Sequence, residues 1–471
     1  MKSDLMKNTA VMTAVNLIIR LINIRFNAYL SEKIGLSGIG LFQLVMTVYS
    51  LAVTFSCAGI RLSTMRITVR ARTFGDYSIN KSLSYCVTYA GICGCVIGFA
   101  LFFFSKQISF YWLENINTAF PLKILSVSLP FVAMSSSLGG FFTASDYASE
   151  HSYIQLTEQL FKILFIIFLI NNIGVVTPIY SNISLATGIA ISEVFSFGLS
   201  MILRKFKTYE NSSSNTVCIN DILKIALPDA TGTCFRSCLL TVEHIMIPKS
   251  LKKSGFDYNK ALAEYGNIHS LAMPLLLYPS AVLSSLSSLL IPAFARMYEC
   301  DDYNGIRKSV LRTLRRTVLY SLICSAVFFV FSNPIAEIFC KSKEAAKYIK
   351  ILSPLVPVMF TDIVTDGMLK GLDRHIDSMK FNIIDSALCI GLVCFLLPKY
   401  SVKGYIYTIY MSEILNFLMS INLLRKICAF RCFPTREEEN SMFSRLKRCL
   451  IFQEEYGYQT YQGRRKHNQA P

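Results

Sequence analysis

Charged side chains are sparse in this sequence. Asp, Glu, Lys and Arg make up 16% of its 471 residues, where a soluble globular chain carries about 25%. Hydrophobic residues reach 53% and mean hydropathy is +0.44, so the solvent this chain is built for is lipid. No Cys-x-x-Cys pair occurs among its 15 cysteines, and no histidine stands at metal-ligand spacing from them. Most of these cysteines lie in apolar runs, where a free thiol packs as a small hydrophobe. No metal, cofactor or disulfide is therefore expected. Walker A, Gly-x-Ser-x-Gly and His-Glu-x-x-His motifs are all missing, which excludes an ATPase within this chain. No loop is large enough for a glycosyltransferase site, and the chain reads as a non-enzyme. The N-terminal apolar run is interrupted by Asn16, Arg20, Asn23 and Arg25, and no small-residue cleavage site follows it. It reads as a first span and not as a cleaved signal.

Apolar runs of about 20 residues, the length that crosses roughly 30 Å of hydrocarbon, recur along the sequence. They fall near 8–30, 38–60, 83–105, 120–142, 154–172 and 181–203. After a polar stretch from Arg204 to Asn220 they resume near 222–248, 266–294, 315–337, 349–369, 381–398 and 403–424. The runs are too long, and lack the period-2 alternation, for strands. The expected fold is an all-α polytopic membrane protein of about twelve transmembrane helices. Net charge is +17, and roughly twice as many Lys and Arg fall inside as outside when both termini are placed in the cytoplasm. That excess reads as topology signalling toward anionic lipid headgroups, with no nucleic acid implied. The residues after 427 read as a poorly ordered cytoplasmic tail, with one interfacial turn suggested at 442–452.

The two halves repeat each other. At a spacing of 227 residues, KILSVSLP (123–130) meets KILSPLVP (350–357), Gly140 meets Gly367, Asp146 meets Asp373 and Glu158 meets Asp385. At 220, Ser192, Glu193, Phe197 and Ser200 meet Ser412, Glu413, Phe417 and Ser420. Shared apolar bias does not align a Lys, a Glu and two prolines. Each half holds an even number of spans, so the repeats run parallel, as in transporters whose lobes rock about a site between them. The expected lobes are 1–210 and 211–427, around a central cavity.

A charge at bilayer depth costs about 2.5–3.5 kcal/mol on insertion scales and is a functional candidate by default. Span 1 carries Arg20 and Arg25, and span 7 carries Arg236, Glu243 and His244. Arg20 and Arg236 correspond across the halves. Arg236 and Glu243 are seven apart, hence on one helical face, where they either pair or both line a cleft. The planar guanidinium fork suits phosphate, so Arg20, Arg25 and Arg236 are candidate anion ligands. Arg61, just past span 2, is a topology charge or a further ligand. The bland alternatives are snorkelling of Arg25 and neutralisation of Arg236 by Glu243. Glu193 and Glu413 bind a coupling cation or cap helices. Asp362, Asp366 and Asp385 read as helix-end contacts. His269 reads as an ordinary hydrogen-bonding residue at the outer mouth, with proton relay as its other reading. Pro274, Pro279 and Pro292 are expected to bend span 8, whose serines 284, 287 and 288 suit close packing or a hydrophilic cleft.

The strings GIGLFQLVMTVYSLAVTFSCAGIRLS (38–63), DILKIALP (221–228), IPKSLKKSG (247–255) and ALAEYGNIHSLAMPLLLYPSAVLSSLSSLLIP (261–292) resemble the stage V sporulation protein B group. So do DGMLKGLDR (366–374) and NIIDSALCIGLVCFLLPKY (382–400). That group lies in the oligosaccharide-flippase branch of the multidrug/oligosaccharidyl-lipid/polysaccharide exporter superfamily. The resemblance spans about residues 5–427. It implies two bundles about a cavity, alternating access, and polyprenyl-diphosphate-linked sugars, peptidoglycan precursor included, as substrate. Related flippases hold the diphosphate with cavity arginines. Arg20 matches one and Arg25 falls nearest a second. The third position, in helix 8, is Pro274 here, with Arg236 as the candidate substitute. The expected partners are lipid-linked oligosaccharide and membrane lipid in the cytoplasmic membrane. A coupling ion and envelope-synthesis enzymes stay open. The rival readings are a cation-coupled drug exporter of the same superfamily and a non-transporting scaffold for envelope synthesis.

Overall fold

The computed structural model describes residues 2–74, 78–145, 147–173, 178–205, 219–299 and 302–429. The expected tail, Asp146 and most of the stretch between the halves lie outside them. All regular structure among the described residues is helical: α1 (Lys2–Cys57), α2 (Ile60–Phe74), α3 (Ile79–Gln107), α4 (Ala119–Ala144), α5 (Ala148–Ile173), α6 (Pro178–Lys205), α7 (Ile219–Lys253), α8 (Tyr258–Gly266), α9 (Met273–Leu276), α10 (Ser280–Glu299), α11 (Tyr303–Val330), α12 (Ser332–Phe339), α13 (Lys343–Leu352), α14 (Val356–Gly371) and α15 (His375–Ala429). Nine helical stretches among the described residues are long and apolar enough to cross a membrane. This is a multi-pass membrane protein.

The surface is that of a chain solvated by lipid. Ile92, Val96, Phe99 and Phe103 recur at helical spacing on α3, and all are exposed, Phe99 by 71%. Phe395 on α15 is 80% exposed. In water such a face would be an aggregation site.

Two helices are too long for one crossing. A straight α1 of 56 residues would run about 84 Å at 1.5 Å per residue, nearly three times the hydrocarbon thickness. It breaks at Gly35 (φ 74°, ψ 165°), inside the turn expected between the first two spans. The 55-residue α15 breaks at Ser401 (φ 54°, ψ −135°), inside the turn expected between the last two. Span 8 is interrupted as its prolines suggest. α8 runs into a π-helical turn, Asn267–Ala272, then into the short α9, and the chain turns at 277–279 before α10 begins. Span 10 is divided by a 3-10 turn at Ser353–Leu355, between α13 and α14.

The chain falls into two compact units. The first comprises Met1–Ala281, Ala326–Pro354 and Ile383–Ser412. Here α3 and α4 approach at small residues. A Cβ on Gly94 would lie 2.6 Å from Pro130 Cα, and one on Gly98 would lie 2.8 Å from Ser126 O. Such contacts let helix backbones pack without a hydrophobic driving force. The second unit comprises Val282–Ser325, Leu355–Asn382 and Glu413–Pro471. Its described core holds Phe294, Val356, Phe360, Val364 and Met368, all buried. Ser287 Oγ donates to Ile363 O at 3.1 Å, tying α10 to α14.

The halves also share a contact. Lys123 Nζ lies 5.2 Å from the Phe102 ring centre, and Lys350 Nζ lies 5.3 Å from that of Phe329. Both members of the second pair sit 227 positions after those of the first. The lysines come from the repeated KILS strings, so one cation–π contact recurs in register with the repeat.

Candidate functional site

Within the first unit, α1, α5, α6 and α7 wall a cavity of about 440 Å³. Its lining mixes apolar side chains with polar ones. Asn23, Asn27, Gln43, Thr47, Ser50, Ser237 and Thr241 line it, with Lys162 as the cation and His244 at one wall. Phe26 and Phe42 supply ring faces. α1 contributes most of this set because its residues 23, 27, 43, 47 and 50 fall on one side of its two segments, either side of Gly35. Gln159 Nε2 donates to Asn23 Oδ1, linking α5 to α1. Thr47 Oγ1 donates to Gln43 O at 2.9 Å and Ser237 Oγ to Thr54 Oγ1 at 3.2 Å. Lys162 acts electrostatically on Glu158, one turn earlier on α5, and on Glu193 of α6.

None of the five candidate ligands lines this cavity. Arg20 Nη1 donates to Leu277 O at 3.2 Å and to Ser280 Oγ at 3.3 Å. It therefore caps the carbonyl end of α9, where the chain turns and helix acceptors are released. Arg25 is exposed and donates to Ile338 O at the end of α12. Arg61 is exposed at the start of α2, with its backbone carbonyl against Gly140. Arg236 is exposed on α7, and its electrostatic partner is Asp385 of α15. Asp385 also accepts from Ser412 Oγ. Glu243 accepts from Cys389 Sγ at 3.1 Å. Arg236 and Glu243 share a face of α7 but take different partners. Lys162 was not singled out from the sequence. A lone lysine in the middle of span 5, one turn after Glu158, was the signal available for it.

A second group of polar contacts surrounds the segment between α3 and α4. Lys252 Nζ at the end of α7 meets Glu114 Oε2 at 2.9 Å, and Lys249 Nζ meets Oε1 at 3.7 Å. Lys249 also donates to Tyr111 O at 2.9 Å, and Tyr258 Oη donates to Leu113 O at 2.9 Å. The Lys252 hydrogen bond, before any other influence, holds the Glu114 carboxyl below the ordinary carboxylate range. Burial pushes the Tyr258 phenol up to about 12, so it remains a donor at any physiological pH. The same first unit carries further ties from α1: Asn27 Nδ2 to Ser270 O at 3.1 Å and Glu32 to Lys341 at 2.9 Å.

A family model described as "Polysaccharide biosynthesis protein" matches residues 5–298, more than half of the chain. The chain belongs to the polysaccharide biosynthesis protein family. A second model, MatE, matches residues 259–396. Among relatives of this chain, stage V sporulation protein B of Bacillus subtilis (strain 168) is 22% identical over 90% of this chain and 84% of its own. Lipid II flippase MurJ of the same organism is 20% identical over 83% of this chain and 76% of its own. Among solved structures, an inward-facing multidrug resistance MATE family transporter of the MOP superfamily superposes with a TM-score of 0.71. It is 12% identical over 89% of this chain and 98% of its own. The likeness to the solved transporter shows the fold.

Proposed function

We propose that this chain flips a polyprenyl-diphosphate-linked oligosaccharide, a peptidoglycan or other cell-envelope precursor, across the cytoplasmic membrane by alternating access. The observation that carries this reading is the chemistry of the cavity. Amides and hydroxyls recognise a glycan by exchanging the hydrogen bonds it makes with water, ring faces pack on its apolar side, and Lys162 offers charge to phosphate. The relative named for lipid II flipping supports the same substrate class. The isoprenoid tail stays in lipid while the headgroup occupies the cavity. Arg20, Arg25 and Arg236 are the further diphosphate ligands of this proposal, with Glu243 and Arg61 beside them. In the state described, Arg20 and Arg25 are engaged by backbone carbonyls, and those bonds must exchange for phosphate when the helices move. Twelve spans in two six-helix lobes, 1–210 and 211–427, with both termini cytoplasmic, complete the reading.

The test is complementation of a bacterium depleted of its lipid II flippase. The parent should restore growth, and Arg20→Ala, Arg236→Ala and Lys162→Ala should not, at equal membrane levels. Failure of a well-inserted parent removes lipid II as the substrate, and rescue by all three variants removes the phosphate ligands. A second reading, a cation-coupled exporter, is favoured by the Glu158–Glu193–Lys162 group, since paired carboxylates in a membrane bind cations. It expects efflux of cationic dyes, abolished in Glu193→Gln. A scaffold for envelope-synthesis enzymes would tolerate loss of every residue named here.

A further inference from the structure

His244 on the cavity wall is one end of a cluster, half-buried at its imidazoles and buried at its phenols, that the proposed diphosphate ligands do not include. Its Nδ1 lies 3.2 Å from Tyr265 Oη. Its ring meets that of His269 edge-on, with centroids 4.7 Å apart. His269 Nε2 shares a hydrogen bond with Tyr405 Oη, and its ring lies 4.7 Å from that of Tyr265. Tyr265 and Tyr405 are 0% and 2% exposed. Two imidazoles and two phenols thus form a continuous set whose every member both donates and accepts hydrogen bonds.

The backbone at this point is itself unusual. His269 stands in the π-helical turn Asn267–Ala272. Such turns are rare, cost helix geometry and concentrate at functional sites. The turn is pinned from other elements: Asn27 of α1 donates to Ser270 O at 3.1 Å, and Asn267 donates to Glu344 of α13 at 2.7 Å. The charged and titratable groups facing the cluster are few. Glu243 adjoins His244 on α7 and acts on both phenols. Cys389 of α15 acts on Tyr405, and Lys162 of α5 faces the shared cavity.

We propose that the His244–His269 pair is the binding site of a coupling proton for transport. This rests on the flippase reading above. A proton from the cavity adds to His244. The imidazoles are too close to carry two positive charges, so the pair titrates as a one-proton unit. Tyr265 and Tyr405 reverse their hydrogen bonds to follow the proton, and the Glu243 carboxylate balances the charge. Because the cluster joins α7, α8, the π-turn and α15 and reaches the cavity that α1 walls, protonation alters the packing that a rocking motion must release.

Two measurements test it. The first needs no substrate: the full chain in nanodiscs, with its five histidines labelled with 15N, is titrated by NMR. Two imidazoles should titrate together with one proton between them, and His244→Gln or His269→Gln should remove the shared step. Independent titration of the two, or none, overturns the proposal. The second uses lipid II as the probe in proteoliposomes with a pH gradient of one unit and no membrane potential. One coupled proton shifts the steady-state leaflet ratio by about tenfold, and the ratio should return to one in His244→Gln, His269→Gln and Tyr405→Phe. Variants that keep the parent's ratio overturn the proton site. If the parent moves no lipid II at any gradient, the substrate reading falls, and the NMR titration alone decides the proton site.

Discussion

Lys162 is a full charge placed in the middle of an apolar helix, where insertion costs about 2.5–3.5 kcal/mol. Glu158 and Glu193 offset part of that cost, yet the side chain still lines the cavity. A lysine kept only to neutralise carboxylates would be replaceable by methionine once Glu193→Gln removes one of them. A phosphate ligand would not. Translocation of lipid II in proteoliposomes should fall at least about tenfold in Lys162→Met, the loss of roughly 1.4 kcal/mol of charge-assisted binding, and Glu193→Gln should not restore it. Glu114 is a different kind of residue. It adopts φ 51° and reaches Lys252 and Lys249 at the α7 end. Its lowered pKa means that this tie is fully present above the ordinary carboxylate pKa and is lost as pH falls through the lowered one. An exposed pair contributes at most about 1 kcal/mol. Amide-exchange protection across 108–118, relative to intrinsic rates, should hold at neutral pH, weaken only in acid below the usual carboxylate range, and drop by up to about fivefold at neutral pH in Glu114→Gln.

Helix shape is set where small or proline residues interrupt apolar runs. The ends of the long helices were legible because Gly35 and Ser401 stand in short polar turns between such runs. The interruption of span 8 followed from Pro274 and Pro279. The π-turn at 267–272 was not legible, since nothing in NIHSLA departs from an ordinary helix sequence. The candidate ligands show the same division. Depth in the membrane marked Arg20, Arg25 and Arg236 from the sequence, but which way the first two guanidinium groups point depends on carbonyls 257 and 313 positions away. The cavity's amides were invisible because Asn and Gln carry no charge to stand out. The repeat was legible through Lys123 and Lys350, whereas Phe102 and Phe329 passed unnoticed because apolar matches carry little information. Close approach at Gly94 offers a test at this scale. Gly94→Leu must displace Pro130 and should cost about 1–3 kcal/mol by overpacking, read as a lower unfolding temperature in detergent. Gly391→Ala, where an added Cβ meets nothing within 4 Å, should be neutral or stabilising by up to about 1 kcal/mol from helix propensity.

At the scale of the whole molecule, the distribution of charge sets the expected orientation. Nine stretches qualify as spans among the described residues. In the proposed reading, the breaks at Gly35 and Ser401 each divide a stretch into two passes, and α7 carries the remaining apolar run expected at 222–248, which brings the proposed total to twelve. An even number puts both ends of 8–424 on one side. Arg307, Lys308, Arg312, Arg315 and Arg316 are all exposed near the start of α11, and none of them forms an ion pair among the described residues. Unpaired cations at a helix end are held by anionic headgroups, worth about 1 kcal/mol each near the cytoplasmic leaflet, and positive loops are retained inside. The turn at 340–342 and the segment 113–118 then face outward. In a background with its native cysteines replaced, Lys341→Cys and Asn117→Cys should react with a membrane-impermeant maleimide on intact cells. Lys308→Cys should react only after permeabilisation. The reverse pattern would place the basic end of α11 outside and remove the inward delivery of substrate on which the flippase reading depends.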